Sequence, residues 1–319
     1  MTIELLIEHE GKLFAPVVEE GIEWSTERKG APGQLSFTVF QDGILIISEG
    51  DAVRMKLDGS NVFYGFVFKK QSAKDSQVKV TAYDQLRYLK NKDTYVYENK
   101  TAGELIQMLA ADFRLKAGAL EDTGYKIPYR VEDNKTLFDI IQSALDLTLQ
   151  STKKMFVLFD DFGKLTLKNI ENMKVNLLID SESAQDFDYT SSIDQSSYNK
   201  IKLAYDNKDS GKREVYIAQS GENMNRWGVL QYFEKLQKGE NGQAKADALL
   251  SLYNAKTKNL SIKDAFGDIR VRAGSMVPVM LNLGDVALKN FMLVEKCKHD
   301  FKQDQHLMTL TLRGGEFIA

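Results

Sequence analysis

Alternation dominates the first ninety residues. Leu35, Phe37 and Val39 are separated by Ser36 and Thr38, and Val53, Met55 and Leu57 by Arg54 and Lys56, the period-two pattern of half-buried strands. The turn string Asp58-Gly59-Ser60-Asn61 joins the second run to a β-rich stretch over residues 62–68, so these two form a hairpin. Residues 77–82 alternate again, and residues 83–89 then shift to helical spacing, with Leu86 and Leu89 on one side. A small β-barrel ending in a helical turn is expected, because closing a sheet of short strands removes its exposed edges.

From about residue 96 the period changes. Thr101-Ala102-Gly103-Glu104 is a capping-box pattern, and it predicts a helix with Leu105, Met108, Leu109 and Phe113 on one face. A second amphipathic helix is predicted from about Thr136, with a stripe of Leu137, Ile140, Ile141, Ala144 and Leu145 that weakens at Thr148. Residues 155–159 and 164–168 flank the turn Asp160-Asp161-Phe162-Gly163 and predict a hairpin. Between Lys174 and Lys200 there is no basic residue, while Asp180, Glu182, Asp186, Asp188 and Asp194 stand among serines, and this shift marks a boundary. Strands resume at residues 200–205 and 214–218. A helical stretch is predicted over residues 227–236, then a Gly239-Glu240-Asn241-Gly242 break, then a helix over residues 244–253, after which the β pattern returns.

The last β segment can be laid over the first in order. Residues 274–281 match 50–57, residues 291–297 match 62–68, and residues 306–312 match 77–82. The identities are few and all strands share one period, so duplication and coincidence both stay open. The fold class expected is α+β, mainly β, with two similar small β-barrels plus an α/β module. The first barrel covers residues 1–95 and the α/β domain residues 96–172. The second barrel is assembled from residues 173–218 and 259–319, with a helical insertion at 219–258 that packs with the α/β domain.

Composition narrows the function classes. The chain has 319 residues, enough for two or three domains, and carries 42 basic against 45 acidic residues for a net charge of −3. Nothing in that balance asks for phosphates or an anionic membrane, so sequence-specific nucleic-acid binding and membrane association are not expected. Three histidines (His9, His299, His306) and one cysteine (Cys297) exclude a disulfide scaffold and a cysteine-rich metal site. The N-terminus has acids inside its apolar stretch and no basic start, unlike a signal peptide, and the longest apolar runs are about five residues against the roughly 20 needed to span a bilayer. A soluble, uncleaved chain is expected.

Each candidate for chemistry has a plainer explanation. His299 and His306, with Asp300 and Asp304 between them, reach one metal only if a turn intervenes, and two edge or turn histidines are the preferred reading. Asp160 and Asp161, with Asp206 and Asp209, are carboxylates that a glycosidase would need at fixed separation in a cleft, but they stand beside Gly163 and Gly211 in turn strings. Ser220-Gly221-Glu222-Asn223-Met224 lacks the frame of a nucleophile elbow. Asp58-Gly59-Ser60-Asn61 lacks the later Glu of a calcium loop. Trp227, Tyr232 and Phe233 at helical spacing read as core or subunit contact. No catalytic, cofactor-binding or metal residue is assigned, and no enzyme activity is expected.

Several strings together point to a family. Gly50-Asp51, Phe63-Tyr64-Gly65-Phe66-Val67, Tyr83-Asp84-Gln85-Leu86-Arg87-Tyr88-Leu89, Asn225-Arg226-Trp227-Gly228, the run 246–253 followed by Asn254, and the tail Val294-Glu295-Lys296 with residues 306–312 and Arg313-Gly314-Gly315 resemble the XkdQ/YqbQ-type baseplate hub proteins of defective prophages and contractile bacteriocins. The resemblance covers nearly the whole chain and implies a homotrimer. Each chain would supply two tube-like barrels, making a ring of six units around a central channel, as in contractile phage hubs and type VI secretion spikes. The partners it implies are the six-fold tail tube protein, the three-fold central spike protein and other baseplate components, a LysM-type peptidoglycan-binding protein among them. The site implied is the baseplate of a phage or tail-like particle assembled in the bacterial cytoplasm. Residues 53–57, 62–68 and 277–281 are expected to line the ring or pair around it. The readings from other classes are a tail-associated peptidoglycan hydrolase acting through Asp160 or Asp161, and a cell-surface-binding module.

Overall fold

The structure, a computed structural model, describes residues 1–314 apart from 20, 41–44, 73–75, 181–182, 184–185, 195, 209, 238, 283–286 and 303. Asp209, Glu182 and Gly315, named above, lie outside the described residues. The first seven strands are β1 (Ile3–His9), β2 (Lys12–Phe14), β3 (Ile22–Glu27), β4 (Gln34–Phe40), β5 (Ala52–Leu57), β6 (Ser60–Ser72) and β7 (Gln77–Tyr83). Their alternating apolar positions, Ile7, Leu35, Phe37, Val39, Val53, Met55, Val67, Val80 and Ala82 among them, meet in one core. A 3-10 turn at Gln85–Lys90, capped by Asp84, ends this unit.

The α/β segment follows with β8 (Lys92–Lys100), α1 (Ala102–Asp112), β9 (Ala117–Leu120), β10 (Ile127–Thr136), α2 (Leu137–Thr152), β11 (Phe156–Asp160) and β12 (Leu165–Asn169). The capping box forms: the Thr101 hydroxyl accepts from the Glu104 N–H at 3.2 Å and the Glu104 carboxylate from the Thr101 N–H at 2.8 Å. Such a cap contributes about 1 kcal/mol. The apolar stripe of α2 runs on through Thr148, which is buried because its hydroxyl donates to the Ala144 carbonyl at 2.9 Å.

The remainder comprises β13 (Ile179–Asp180), β14 (Asp186–Ser192), β15 (Lys200–Asn207), β16 (Lys212–Gln219), α3 (Gly221–Trp227), β17 (Gln231–Lys235), α4 (Gly242–Tyr253), β18 (Thr257–Phe266), β19 (Met276–Asn282), β20 (Ala287–Lys302) and β21 (Gln305–Gly314). Two expectations are overturned here. Residues 227–236 are not one helix: α3 stops at Gly228, whose φ of +75° suits glycine, and β17 then alternates, with Tyr232 inward and Phe233 outward. Strands β15 and β16 do not join the second β unit either. They pair with β17 in a separate sheet, order β16-β15-β17, whose inner face packs Ile201 and Leu203 against Ala246 and Leu249 of α4.

The expectation of two closed barrels also needs correction. Among the described residues the strands of the two β units form one open, 13-stranded sheet, order β14-β18-β21-β20-β3-β4-β7-β6-β5-β1-β2, with β19 on β20 and β13 on β19. The reason is the length of β20. It pairs with β19 up to Leu293 and carries on past it, and from Lys296 to Phe301 its free side is taken by β3 of the first unit. Two sheets thereby become one.

Within that sheet the two β segments repeat each other in detail. Pairings β5·β6, β6·β7 and β7·β4 correspond to β19·β20, β20·β21 and β21·β18. A bulge falls between Val67 and Lys69 in one and between Val294 and Lys296 in the other. The Gly50 N–H donates to the Val67 carbonyl at 2.8 Å and the Gly274 N–H to the Val294 carbonyl at 2.8 Å. Return bonds run from the Val67 N–H to Asp51 and from the Val294 N–H to Ser275, each at 2.9 Å. Gly50 and Gly274 have φ of +98° and +96°. Period-two coincidence does not produce shared bulges, shared left-handed glycines and a shared bonding pattern.

The two glycines sit in different surroundings. A Cβ at Gly50 would meet open space, whereas one at Gly274 would lie 2.7 Å from the Val157 side chain on β11. Gly50→Ala should cost about 1–2 kcal/mol from backbone strain alone. Gly274→Ala should cost roughly another 1–3 kcal/mol from overpacking. Urea unfolding of the two variants checks this, and equal losses would refute the inequivalence.

Candidate assembly interface

The joint between β20 and β3 shows how this protein joins one sheet edge to another. Six residue pairs run from Lys296 opposite Glu27 to Phe301 opposite Ile22. On the outer face Lys296 reaches Glu27 at 3.0 Å and Lys298 reaches Glu23 at 3.3 Å. These half-exposed pairs set register more than they add stability. At the end of the joint Arg28 grips Glu295 with two hydrogen bonds of 2.7 and 2.9 Å, the fork geometry that suits guanidinium and carboxylate. On the inner face Trp24 stacks on His299 with centroids 4.7 Å apart, and both are buried.

The outer face of the sheet is polar over seven strands. Registers place Asp188, Ser261, Thr311, Lys296 and Glu27 on it, and Ser36, Thr81, Thr38 and Lys79 continue it through β4 and β7. Serine and threonine are mixed with charges of both signs, which pair locally, as Lys263 does with Asp186 at 3.5 Å. The face is polar and near neutral.

Besides the short strands β2 and β13, which pair on one side only with β1 and β19, two longer stretches of this sheet have a side without a strand partner among the described residues. One is the outer side of β14, which pairs only with β18. The other is the last part of β6: β5 ends at Ala52 opposite Phe66, while Lys69 to Ser72 pair on one side only, with β7. Unpaired edges are templates for another strand.

The histidine pair named from the sequence is brought together by the β20–β21 hairpin, but not at an exposed edge. His299 is fully buried. Its Nε2 lies 2.9 Å from the Val271 carbonyl, which can only accept, so the proton sits on Nε2 and Nδ1 accepts from His306 Nε2–H at 2.8 Å. Burial pushes the His299 pKa down to about 3, so the ring stays neutral. With one lone pair used and the other nitrogen protonated, the pair is a structural element. Among the described residues no group of three or more His, Cys, Asp or Glu is placed to hold a metal ion.

Asp160 also departs from expectation: it is buried, not a solvated turn residue, while its neighbour Asp161 is exposed. Its Oδ1 accepts from the Gly163 N–H at 2.6 Å and its Oδ2 has no hydrogen-bond partner among the described residues. Nearby, Asp84 accepts from the N–H groups of Gly33 at 2.9 Å and Leu86 at 3.0 Å. The Arg272 guanidinium, 4.2 Å over the Phe159 ring, is the cation whose charge acts on both carboxyls. One side chain from each β unit and one from the α/β segment therefore meet in a buried ionic junction. Burial pushes Asp160 up to about 6, and burial with the Asp160 charge holds Asp84 well above the carboxylate range.

The other candidates scatter. Asp206 pairs with Arg213 on the surface, and Ser220 caps α3 through the Asn223 N–H at 3.3 Å. Asp58 sits in the β5–β6 turn and accepts from the Thr2 N–H at 2.7 Å. Of the supposed aromatic stripe, Tyr232 joins Tyr198 and Tyr253 beneath the small sheet, whereas Phe233 faces outward. Sequence reasoning missed Trp24, Arg28 and Glu295, whose partners are hundreds of residues away. It read the acidic stretch around β14 only as a boundary.

A family profile described as YQBQ-like matches residues 22–313. The chain belongs to the YqbQ-like family. It is 29% identical to YqbQ of Bacillus subtilis over 318 residues, spanning 97% of this chain and 95% of that protein. It is also 29% identical to the phage-like element PBSX protein XkdQ of the same organism, spanning 92% of each. Among solved structures, the fold is similar to a tail protein from Neisseria meningitidis (TM-score 0.72, 11% identity, 99% of this chain, 98% of that one). It is similar too to the 43 kDa tail protein of prophage MuSo2 from Shewanella oneidensis (TM-score 0.69, 14% identity, 97% and 98%). The Escherichia coli c3393 protein, a type VI secretion component, shares it as well (TM-score 0.59, 9% identity, 99% of this chain, 78% of that one).

The junction makes a pH prediction for this YqbQ-like chain. The Asp160 pKa is raised from 3.8 to about 6, so its contribution to stability is present below about pH 4 and is lost as pH rises through 6. Relative to Asp160→Asn, the unaltered protein should lose about 3 kcal/mol between roughly pH 4 and 7. Urea midpoints across that range test it, and parallel curves would contradict the assignment.

Proposed function

We propose that this chain is the baseplate hub of a contractile phage tail-like particle, a trimeric adaptor that joins the six-fold tail tube to the three-fold spike around a central channel. The observation that carries this reading is the internal repeat: one chain holds two strand sets of the same register and bulge, so three chains supply six similar units. Each set acts as one tube-like unit, the first within residues 1–95 and the second built from residues 173–192 and 257–314. The remaining segments pack outside the ring. Membership of a family that includes a phage-like element protein, and a fold like that of prophage tail proteins, support the same assignment.

The polar outer face of the sheet is the surface suited to line the channel. Its hydroxyls and locally paired charges offer no strong field to hold a passing polyanion or ion. Partners on this reading are further copies of the chain, the tube protein, the spike and other baseplate components, and the chain works by shape and symmetry without catalysis. A hydrolase needs two carboxylates facing one cleft, whereas Asp160 is turned into the junction between units. An electron-microscopic map of the native particle is expected to place three copies as a ring at the distal end of the tube. A map with single copies at the periphery, or with none at the tube end, would overturn the proposal.

A further inference from the structure

We propose that copies of this chain join edge to edge, the outer side of β14 in one copy pairing with the last four residues of β6 in the next, in the register that β3 and β20 already use inside the chain. The number of copies rests on the hub reading above; the pairing itself rests on the repeat.

The repeat assigns each edge its counterpart. Leu35 and Ser36 of β4 correspond to Leu260 and Ser261 of β18, because they face Ala82 and Thr81 of β7 and Leu312 and Thr311 of β21 respectively. β3 lies on β4 with Trp24 opposite Leu35 and Glu23 opposite Ser36. β14 lies on β18 with Tyr189 opposite Leu260 and Asp188 opposite Ser261. β14 is therefore the β3 of the second unit, with Tyr189 in the place of Trp24 and Phe187 in the place of Ile22. By the same logic Lys69, Lys70, Gln71 and Ser72, opposite Thr81, Val80, Lys79 and Val78, stand where Lys296, Cys297, Lys298 and His299 stand opposite Thr311, Leu310, Thr309 and Met308. A local contact repeats too: Lys70 Nζ donates to the Ile47 carbonyl at 2.7 Å as Cys297 Sγ does to the Val271 carbonyl at 3.7 Å.

Inside the chain these two kinds of edge are joined. Between chains the same two edges are left open among the described residues, and their side chains look unfinished. Ile22 is 5% exposed but its counterpart Phe187 is 39% exposed. Trp24 is buried but Tyr189 is half-buried. Lys69 to Ser72 are all exposed, whereas Cys297 and His299 in the matching positions are buried. The occupant that fits each edge is the opposite edge of a second copy. Because the two edges differ, the contact is head-to-tail, the kind whose repetition makes a ring when its rotation closes, and closure at three is taken from the hub reading.

The register transferred from the internal joint sets Lys69 opposite Ser192 of the next copy, Lys70 opposite Ser191, Gln71 opposite Thr190 and Ser72 opposite Tyr189. Facing residues of an antiparallel pair have Cβ atoms about 4.5–5.5 Å apart, close enough for engineered cysteines to be oxidised together with small adjustment. In the full chain, Gln71→Cys with Thr190→Cys, and as a second pair Lys69→Cys with Ser192→Cys, should give under mild oxidation a covalent ladder that ends at three chains. The single variants should link only when mixed, and then as two chains. Ser25→Cys with Lys298→Cys, the matching pair of the internal joint, should close within one chain. A ring visible by electron microscopy that yields neither ladder would overturn the edge pairing and leave the hub reading standing. A chain that stays single at every concentration, with no ladder, would overturn both. A ladder running on past three chains would uphold the pairing and overturn the count of three.

Discussion

A β-strand longer than its neighbour leaves a row of N–H and C=O groups that must find other partners. β20 is such a strand, and the way its free side is filled by β3 organises the molecule. That pairing fuses two β units into one sheet, brings Trp24 onto His299 and Arg28 onto Glu295, and lets the Thr26 hydroxyl accept from the Ala273 N–H at 2.9 Å. Without it the chain would be two small sheets tied by a connector.

Repetition and divergence share the work in this sheet. The strand order, the bulge and the left-handed glycine recur in both units, while what surrounds them differs. Gly274 is pressed by Val157 of β11, and Gly50 faces open space. Position 297 is a buried cysteine beside a buried histidine, and its counterpart at 70 is an exposed lysine. One copy of the pattern has been finished within the chain and the other left with open edges. The ionic junction of Asp84, Asp160 and Arg272 holds the α/β segment against both units at the cost of a buried carboxyl that prefers to be protonated above the usual range.

How far the amino-acid order foretells this can be judged residue by residue. The hairpin at Asp58–Asn61, the capping box at Thr101 and the stripe of α2 were legible, because turn, cap and stripe are each decided by residues within a few positions of one another. Even the repeat was visible as three aligned strands, although only shared registers separate it from coincidence. The helix expected over residues 227–236 failed for the same local reason: apolar residues at spacing four to six suit helix and strand alike until Gly228 and the pairing of β17 with β15 choose.

Composition and local pattern alone determined that this is a near-neutral, mainly β protein with an α/β segment and few groups suited to chemistry, since those properties are sums or short-range periodicities. Whether two barrels close or one sheet runs through, whether His299 is an edge residue or a core one, and which acids are buried were settled by folding. Each of these depends on which edges and faces meet across long stretches of chain, as Arg28 meets Glu295, and period two is the same for every strand.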